Sequence, residues 1–138
     1  MPLLEQVLEN NPDTVKIVLK NMPLRFHKFA EPSALAALAA AEQGKFWEFH
    51  DELFAISPKL DPAAITKIAQ KLGLDMDKFV KDMASPAMRQ KLAKDLHDAQ
   101  EAGVTGTPTI FVNGIKLKAR SLPAIQQLID EELAQTAK

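Results

Sequence analysis

The sequence predicts an α/β domain in which one strand, at about 14–20, is separated from two later strands, at about 109–113 and 115–119, by a long block of helices. Three observations predict it. A β-branched run, Val15, Ile17 and Val18 with Leu19, follows the turn residues Asn10-Asn11-Pro12-Asp13. Apolar residues then recur at helical spacing across 33–103. Past Gly103 the period drops from 3.6 to 2, and Asn113-Gly114 separates two short apolar runs as a two-residue hairpin turn would.

Each element has its own signal. Leu3, Leu4, Val7 and Leu8 sit at helical spacing behind Pro2, which suits a first helical position, so the chain opens on a short amphipathic helix. Residues 21–33 hold Pro23 and Pro32 and are expected to form an irregular connection. Ser33 is expected to cap an alanine-rich helix over 34–42, a stretch of high helix propensity with small side chains. Gly44 marks a break, and 45–56 puts Phe46, Phe49, Leu53 and Ile56 on one stripe with Trp47 and Phe54 beside it. Asp61-Pro62 and Ser85-Pro86 each pair a capping residue with proline at the first helical position, and Asp75 caps a helix between them. Gly73 and Gly103 are the stops. Ser121 opens a closing helix through Leu122, Ile125, Leu128, Ile129 and Leu133. No repeat, low-complexity segment or linker divides the chain, so a single domain over 1–138 is expected.

Composition removes several kinds of function. With 138 residues the chain can bury a sizeable core unaided, and with no cysteine it must. Seventeen Lys+Arg against 18 Asp+Glu leave no overall field to attract nucleic acid or an anionic membrane, so neither is expected as a partner. No apolar run approaches the roughly 20 residues of a membrane span, and the opening residues do not have the pattern of a signal peptide. The chain is therefore expected to be soluble. Missing cysteines exclude a thiol nucleophile, a thiolate metal site and a redox pair within these residues.

The element order, together with Gly103-Val104-Thr105-Gly106-Thr107-Pro108-Thr109-Ile110-Phe111-Val112-Asn113-Gly114, resembles the DsbA-like branch of the thioredoxin-fold thiol–disulfide oxidoreductases. Gln43-Gly44-Lys45-Phe46-Trp47-Glu48-Phe49-His50-Asp51-Glu52-Leu53-Phe54 looks like part of that family's helical insertion, here about 33–103, and Leu72-Gly73-Leu74-Asp75 with Phe79 extends the match. The resemblance implies a thioredoxin-like fold, a cis-proline at Pro108, and a peptide-binding loop formed by Thr105, Gly106, Thr107 and Pro108. A cis bond before Pro108 would turn the Thr107 backbone outward, leaving its polar groups to pair with an extended peptide.

The sequence also departs from that family. There a strand and a Cys-x-x-Cys precede the first helix, whereas here Met1-Pro2-Leu3-Leu4-Glu5 looks like that helix already under way. The chain is thus expected to be a truncated, redox-inert relative, because disulfide exchange needs a thiolate. Two other readings stand beside it: an active oxidoreductase whose Cys-x-x-Cys lies upstream of Met1, and a non-catalytic module that binds peptide. A sheet without its central strand would leave backbone groups unpaired, so either the 14–20 strand closes onto the hairpin or, the favoured expectation, a second chain supplies strand or helix in a homodimer. The resemblance alone suggests a periplasmic or cell-envelope location.

Other candidate chemistry is weak. His27, His50 and His97 complete no metal-ligand spacing, and neither metal nor cofactor is expected. His50, Asp51 and Glu52 are consecutive on a helix and are expected to point apart. Gly103-x-x-Gly106 formally fits a short RNA-binding loop but contains no basic residue. Lys116, Lys118 and Arg120 read as the solvent face of a guarded strand. Phe26, Phe46, Trp47, Phe49, Phe54, Phe79 and Phe111 are expected mainly in the core.

Overall fold

Four of the helices start on the cap the sequence supplies, and these caps organise most of the chain. The computed structural model describes residues 2–25 and 27–137. The helices are α1 (Pro2–Asn10), α2 (Ala30–Ala41), α3 (Phe46–Ala55), α4 (Pro62–Lys71), α5 (Met76–Met83), α6 (Pro86–Glu101) and α7 (Leu122–Thr136). Asp61, Asp75, Ser85 and Ser121 each accept the backbone N–H three residues on, opening α4, α5, α6 and α7. A 3-10 turn, Ser57–Lys59, follows α3. The described residues are mostly helical, with one small two-stranded sheet among them: β1 (Phe111–Val112) and β2 (Ile115–Lys116).

The chain divides into two compact units, Lys20–Gly103 and Met1–Leu19 with Val104–Lys138. In the first, α2 packs against α3, α4, α5 and α6. Its alanines make this close approach feasible: Ala36, Ala39 and Ala40 are completely buried, with Phe49, Leu53, Ile65, Ile68 and Phe79 around them. A helix apolar on every side is one enclosed by other helices. Ala34 and Leu35 continue α2 into a second cluster with Met88 and Leu92 of α6.

In the other unit, Val7 of α1 meets Ile125 and Ile129 of α7. Val15, Ile110, Val112 and Leu117 pack against this centre. The hairpin turns on Asn113 (φ 48°) and Gly114 (φ 84°), both in the left-handed region that a two-residue primed turn demands.

Several expectations are corrected. Residues 14–20 do not form a strand. They alternate between half-buried and exposed from Val15 to Lys20, as a strand would. A strand also needs a neighbouring backbone, however, and residues 16–20 make no backbone hydrogen bond among the described residues. The strands expected at 109–113 and 115–119 shrink to two residues each, although Leu117 N–H adds one rung to the Ile110 carbonyl at 2.9 Å. In this register the next hydrogen-bonded pair would involve Pro108, which has no N–H to give.

Ser33 is not a cap. α2 starts three residues before it, because Pro32 falls in the first turn, where no N–H is required. Of the aromatic residues, Phe49 and Phe79 are fully buried and Phe46 is half-buried, but Trp47, Phe54 and Phe111 are exposed. Phe26 lies outside the described residues.

Candidate functional site

The segment between Gly103 and β1 is irregular because its residues leave it few backbone partners. Gly103 ends α6 with a positive φ of 68°, and Pro108 has no donor. The Thr107–Pro108 peptide bond is cis. Thr109 Oγ1 donates to the Gly106 carbonyl at 2.7 Å, which ties the segment back on itself just before the hairpin. Thr105, Thr107 and Pro108 are exposed, whereas Gly106 and Thr109 are half-buried.

Beside this segment lies an open cleft of about 600 Å³ lined by Pro2, Leu3, Leu4, Pro108, Ile110 and Arg120. Leu3 and Leu4 come from the first turn of α1 and Ile110 from the approach to β1, and all three also pack on the Val7–Ile125–Ile129 centre. That packing fixes the apolar walls. Arg120, on the connection between β2 and α7, is exposed and makes no hydrogen bond or ion pair among the described residues. Of the four loop residues named from the sequence, Pro108 lines the cleft, and Thr105, Gly106 and Thr107 precede it along the chain. Sequence reasoning missed Leu3, Leu4, Ile110 and Arg120 as its companions. The available signal was a run of three cations ending at Arg120, but its placement opposite α1 depends on tertiary packing.

The acid–base run 50–52 lies on α3. His50 is buried on α3 among Phe46, Trp47 and Phe54, with the Phe54 ring centroid at 4.6 Å. Asp51 curls back to His50, its Oδ1 lying 3.2 Å from Nδ1, contrary to the expectation that they point apart. Glu52 does turn away and accepts from Lys71 at 2.7 Å. Among the described residues no group of three His, Cys, Asp or Glu is placed to hold a metal ion. None of the described helices is long and apolar enough to cross a membrane.

Comparison with known proteins places this arrangement. The chain is 43% identical over 102 residues to Na(+)/H(+) antiporter NhaA 3 of Salinispora tropica, a match covering 73% of this chain and 16% of the antiporter. It thus spans only about a sixth of the curated relatives it matches. A thioredoxin-like oxidoreductase from Silicibacter pomeroyi superposes with a TM-score of 0.86 at 27% identity, over 97% of this chain and 77% of its own. The oxidoreductase DsbA from Xylella fastidiosa shares the fold, with a TM-score of 0.72 at 21% identity over 96% of this chain and 79% of its own. The profile of the DSBA-like thioredoxin domain matches residues 2–130, and with the order of elements and the 103–114 run in agreement, the chain belongs to the DSBA-like thioredoxin domain family.

Proposed function

We propose that these residues form a peptide-holding domain that performs no thiol chemistry of its own: an extended segment of another polypeptide lies along Thr105, Gly106, Thr107 and Pro108, and one of its apolar side chains enters the adjoining cleft. The observation that carries this reading is the cleft, whose lining is apolar apart from Arg120 and whose volume of about 600 Å³ suits side chains. Main-chain pairing along an unladdered segment would supply affinity, and the cleft would supply selectivity. Without a cysteine, no thiolate is available to attack a disulfide. The oxidoreductase and antiporter relatives contribute family membership to this reading, and neither activity is carried over.

Titrating an extended apolar peptide into the isotopically labelled 138-residue protein tests it. Saturable shifts should map to Leu3, Leu4, Thr107, Ile110 and Arg120, and Pro108→Ala, which reshapes one wall, should weaken binding. Shifts elsewhere, or none at millimolar peptide, would overturn the reading. Accelerated insulin reduction by this chain in dithiothreitol would overturn its non-catalytic part.

One observation favours a further partner, a second copy of the chain. Lys16 to Lys20 alternates in burial and makes no backbone hydrogen bond among the described residues, so its backbone groups are free to accept a strand from another copy. Light scattering at micromolar concentration should then give twice the 15.2 kDa of one chain. A purely monomeric species would rule this out.

A further inference from the structure

The cleft's lining carries one cation and no carboxylate, although the chain as a whole is nearly balanced. Between Glu101 and Asp130 there is no acidic residue, while Lys116, Lys118 and Arg120 all fall in that interval. None of the three makes an ion pair or hydrogen bond among the described residues, and all are exposed. Elsewhere Lys20, Lys45, Lys71, Lys78, Lys91 and Lys94 have carboxylate partners, while Lys16, Lys59, Lys67, Lys81 and Arg89 have none among the described residues, so what sets Arg120 apart is its place in the cleft wall. Among the described residues that line the cleft, Arg120 alone is charged, and Pro2, Leu3, Leu4, Pro108 and Ile110 are apolar. A guanidinium beside apolar walls presents a planar fork of donors that matches a carboxylate in two parallel hydrogen bonds.

We propose that the segment held beside Pro108 carries a side-chain carboxylate, an Asp or Glu next to an apolar residue, which Arg120 reads while the apolar residue occupies the cleft. This rests on the peptide-holding reading and adds the class of peptide to it. Lys116 and Lys118 act at longer range, raising the local concentration of acidic segments without fixing their register.

The test uses two blocked peptides, acetyl-Leu-Ser-Glu-Val-Leu-amide and its Gln counterpart, with affinity measured by calorimetry at low and at high salt. The Glu peptide should bind about tenfold more tightly at low salt, the size expected of one charge-assisted pair. Arg120→Gln should remove that preference, so that the variant binds the Glu and Gln peptides equally, and Arg120→Lys should keep only a few-fold preference. Because the central comparison changes the peptide alone, it does not depend on any variant folding. Equal affinities for Glu and Gln peptides would overturn this inference and leave the peptide-holding reading standing. Binding of neither would overturn both. A gain seen only when the Gln peptide ends in a free carboxylate would also sink the proposal, since it commits to a side-chain carboxylate.

Discussion

Asn11 and Gln126, 115 residues apart in sequence, exchange a pair of amide hydrogen bonds: Asn11 Nδ2 donates to Gln126 Oε1 at 2.8 Å, and Gln126 Nε2 donates to Asn11 Oδ1 at 3.0 Å. Asn11 Nδ2 also donates to the Val7 carbonyl at 2.8 Å, occupying an acceptor that the end of α1 would otherwise leave open. One buried amide thus finishes α1 and joins it to α7.

Asn11→Leu should therefore destabilise the protein by about 1–3 kcal/mol, because it leaves the Val7 carbonyl and Gln126 Oε1 without their donor, while Gln126 Nε2 keeps its bond to Asp130 Oδ1 at 2.9 Å. Gln126→Ala should cost less, since Asn11 retains its bond to Val7. Urea unfolding of the two single variants and the double variant gives the coupling directly. Full additivity would mean that the paired amides do not act as a unit.

The aromatic residues divide sharply by burial. Phe49 and Phe79 are fully buried with ring centroids 5.7 Å apart, whereas Phe54 is 63% exposed on the same helix as Phe49. Phe49→Ala should cost about 3–5 kcal/mol through lost burial and the cavity left behind. Phe54→Ala, on the surface, should stay below about 1 kcal/mol. Comparable losses for both in denaturant unfolding would place Phe54 in the core and contradict the architecture.

Ser33 lies buried within α2 with a side-chain oxygen that has no partner, whereas Ser85 Oγ accepts the Met88 N–H at 3.3 Å and caps α6. Ser33→Ala should accordingly be neutral or stabilising by up to about 1 kcal/mol, since it removes an orphaned hydroxyl and raises helix propensity. Ser85→Ala should cost about 1 kcal/mol as a lost cap. Equal losses in urea midpoints would mean that Ser33 caps after all.

These positions show what the sequence made legible. Caps are local chemistry, so Asp61-Pro62, Asp75, Ser85-Pro86 and Ser121 announced their helices without any knowledge of the tertiary fold. The Asn113-Gly114 turn was legible for the same reason. Ser33 misled because Pro32 reads equally well as a barrier before a helix and as a residue of its first turn. The run 14–20 misled for a different reason. Its composition specifies an extended conformation with one sheltered face, but pairing depends on a second backbone that composition cannot specify. Pro108 could be singled out from the 103–114 run, yet the cleft's other walls come from α1 and the 117–120 connection, which only folding brings near it.

Asp98 on α6 accepts from Lys20 Nζ at 2.6 Å and from Lys94 Nζ at 2.8 Å, while neighbouring Asp95 accepts the Asn21 N–H at 2.8 Å. These bonds fasten residues 20 and 21 to α6. The hydrogen bond from Lys20, then that from Lys94, holds the Asp98 carboxyl down at about 2, against an ordinary 3.8. A carboxyl lowered on folding binds its proton more weakly in the native chain than in the unfolded one. The resulting stabilisation is complete above the unfolded value and fades as pH falls from about 4 towards 2. Lys20 is shifted upward by the same bond, so its share is present below its ordinary 10.5 and is lost as pH rises beyond that. Carbon-detected NMR titration should find Asp98 titrating near 2 at low salt and moving towards the ordinary range in 1 M salt, because the pair is solvent-accessible and screening there acts within about 3 Å. Asp98→Asn should remove this group's contribution to acid sensitivity and, by loosening the segment, let the Asn21 amide proton exchange faster from its bond to Asp95. An Asp98 that titrates at its ordinary value in the native protein would mean that Lys20 swings free in solution and that Asp95 alone holds this segment to α6.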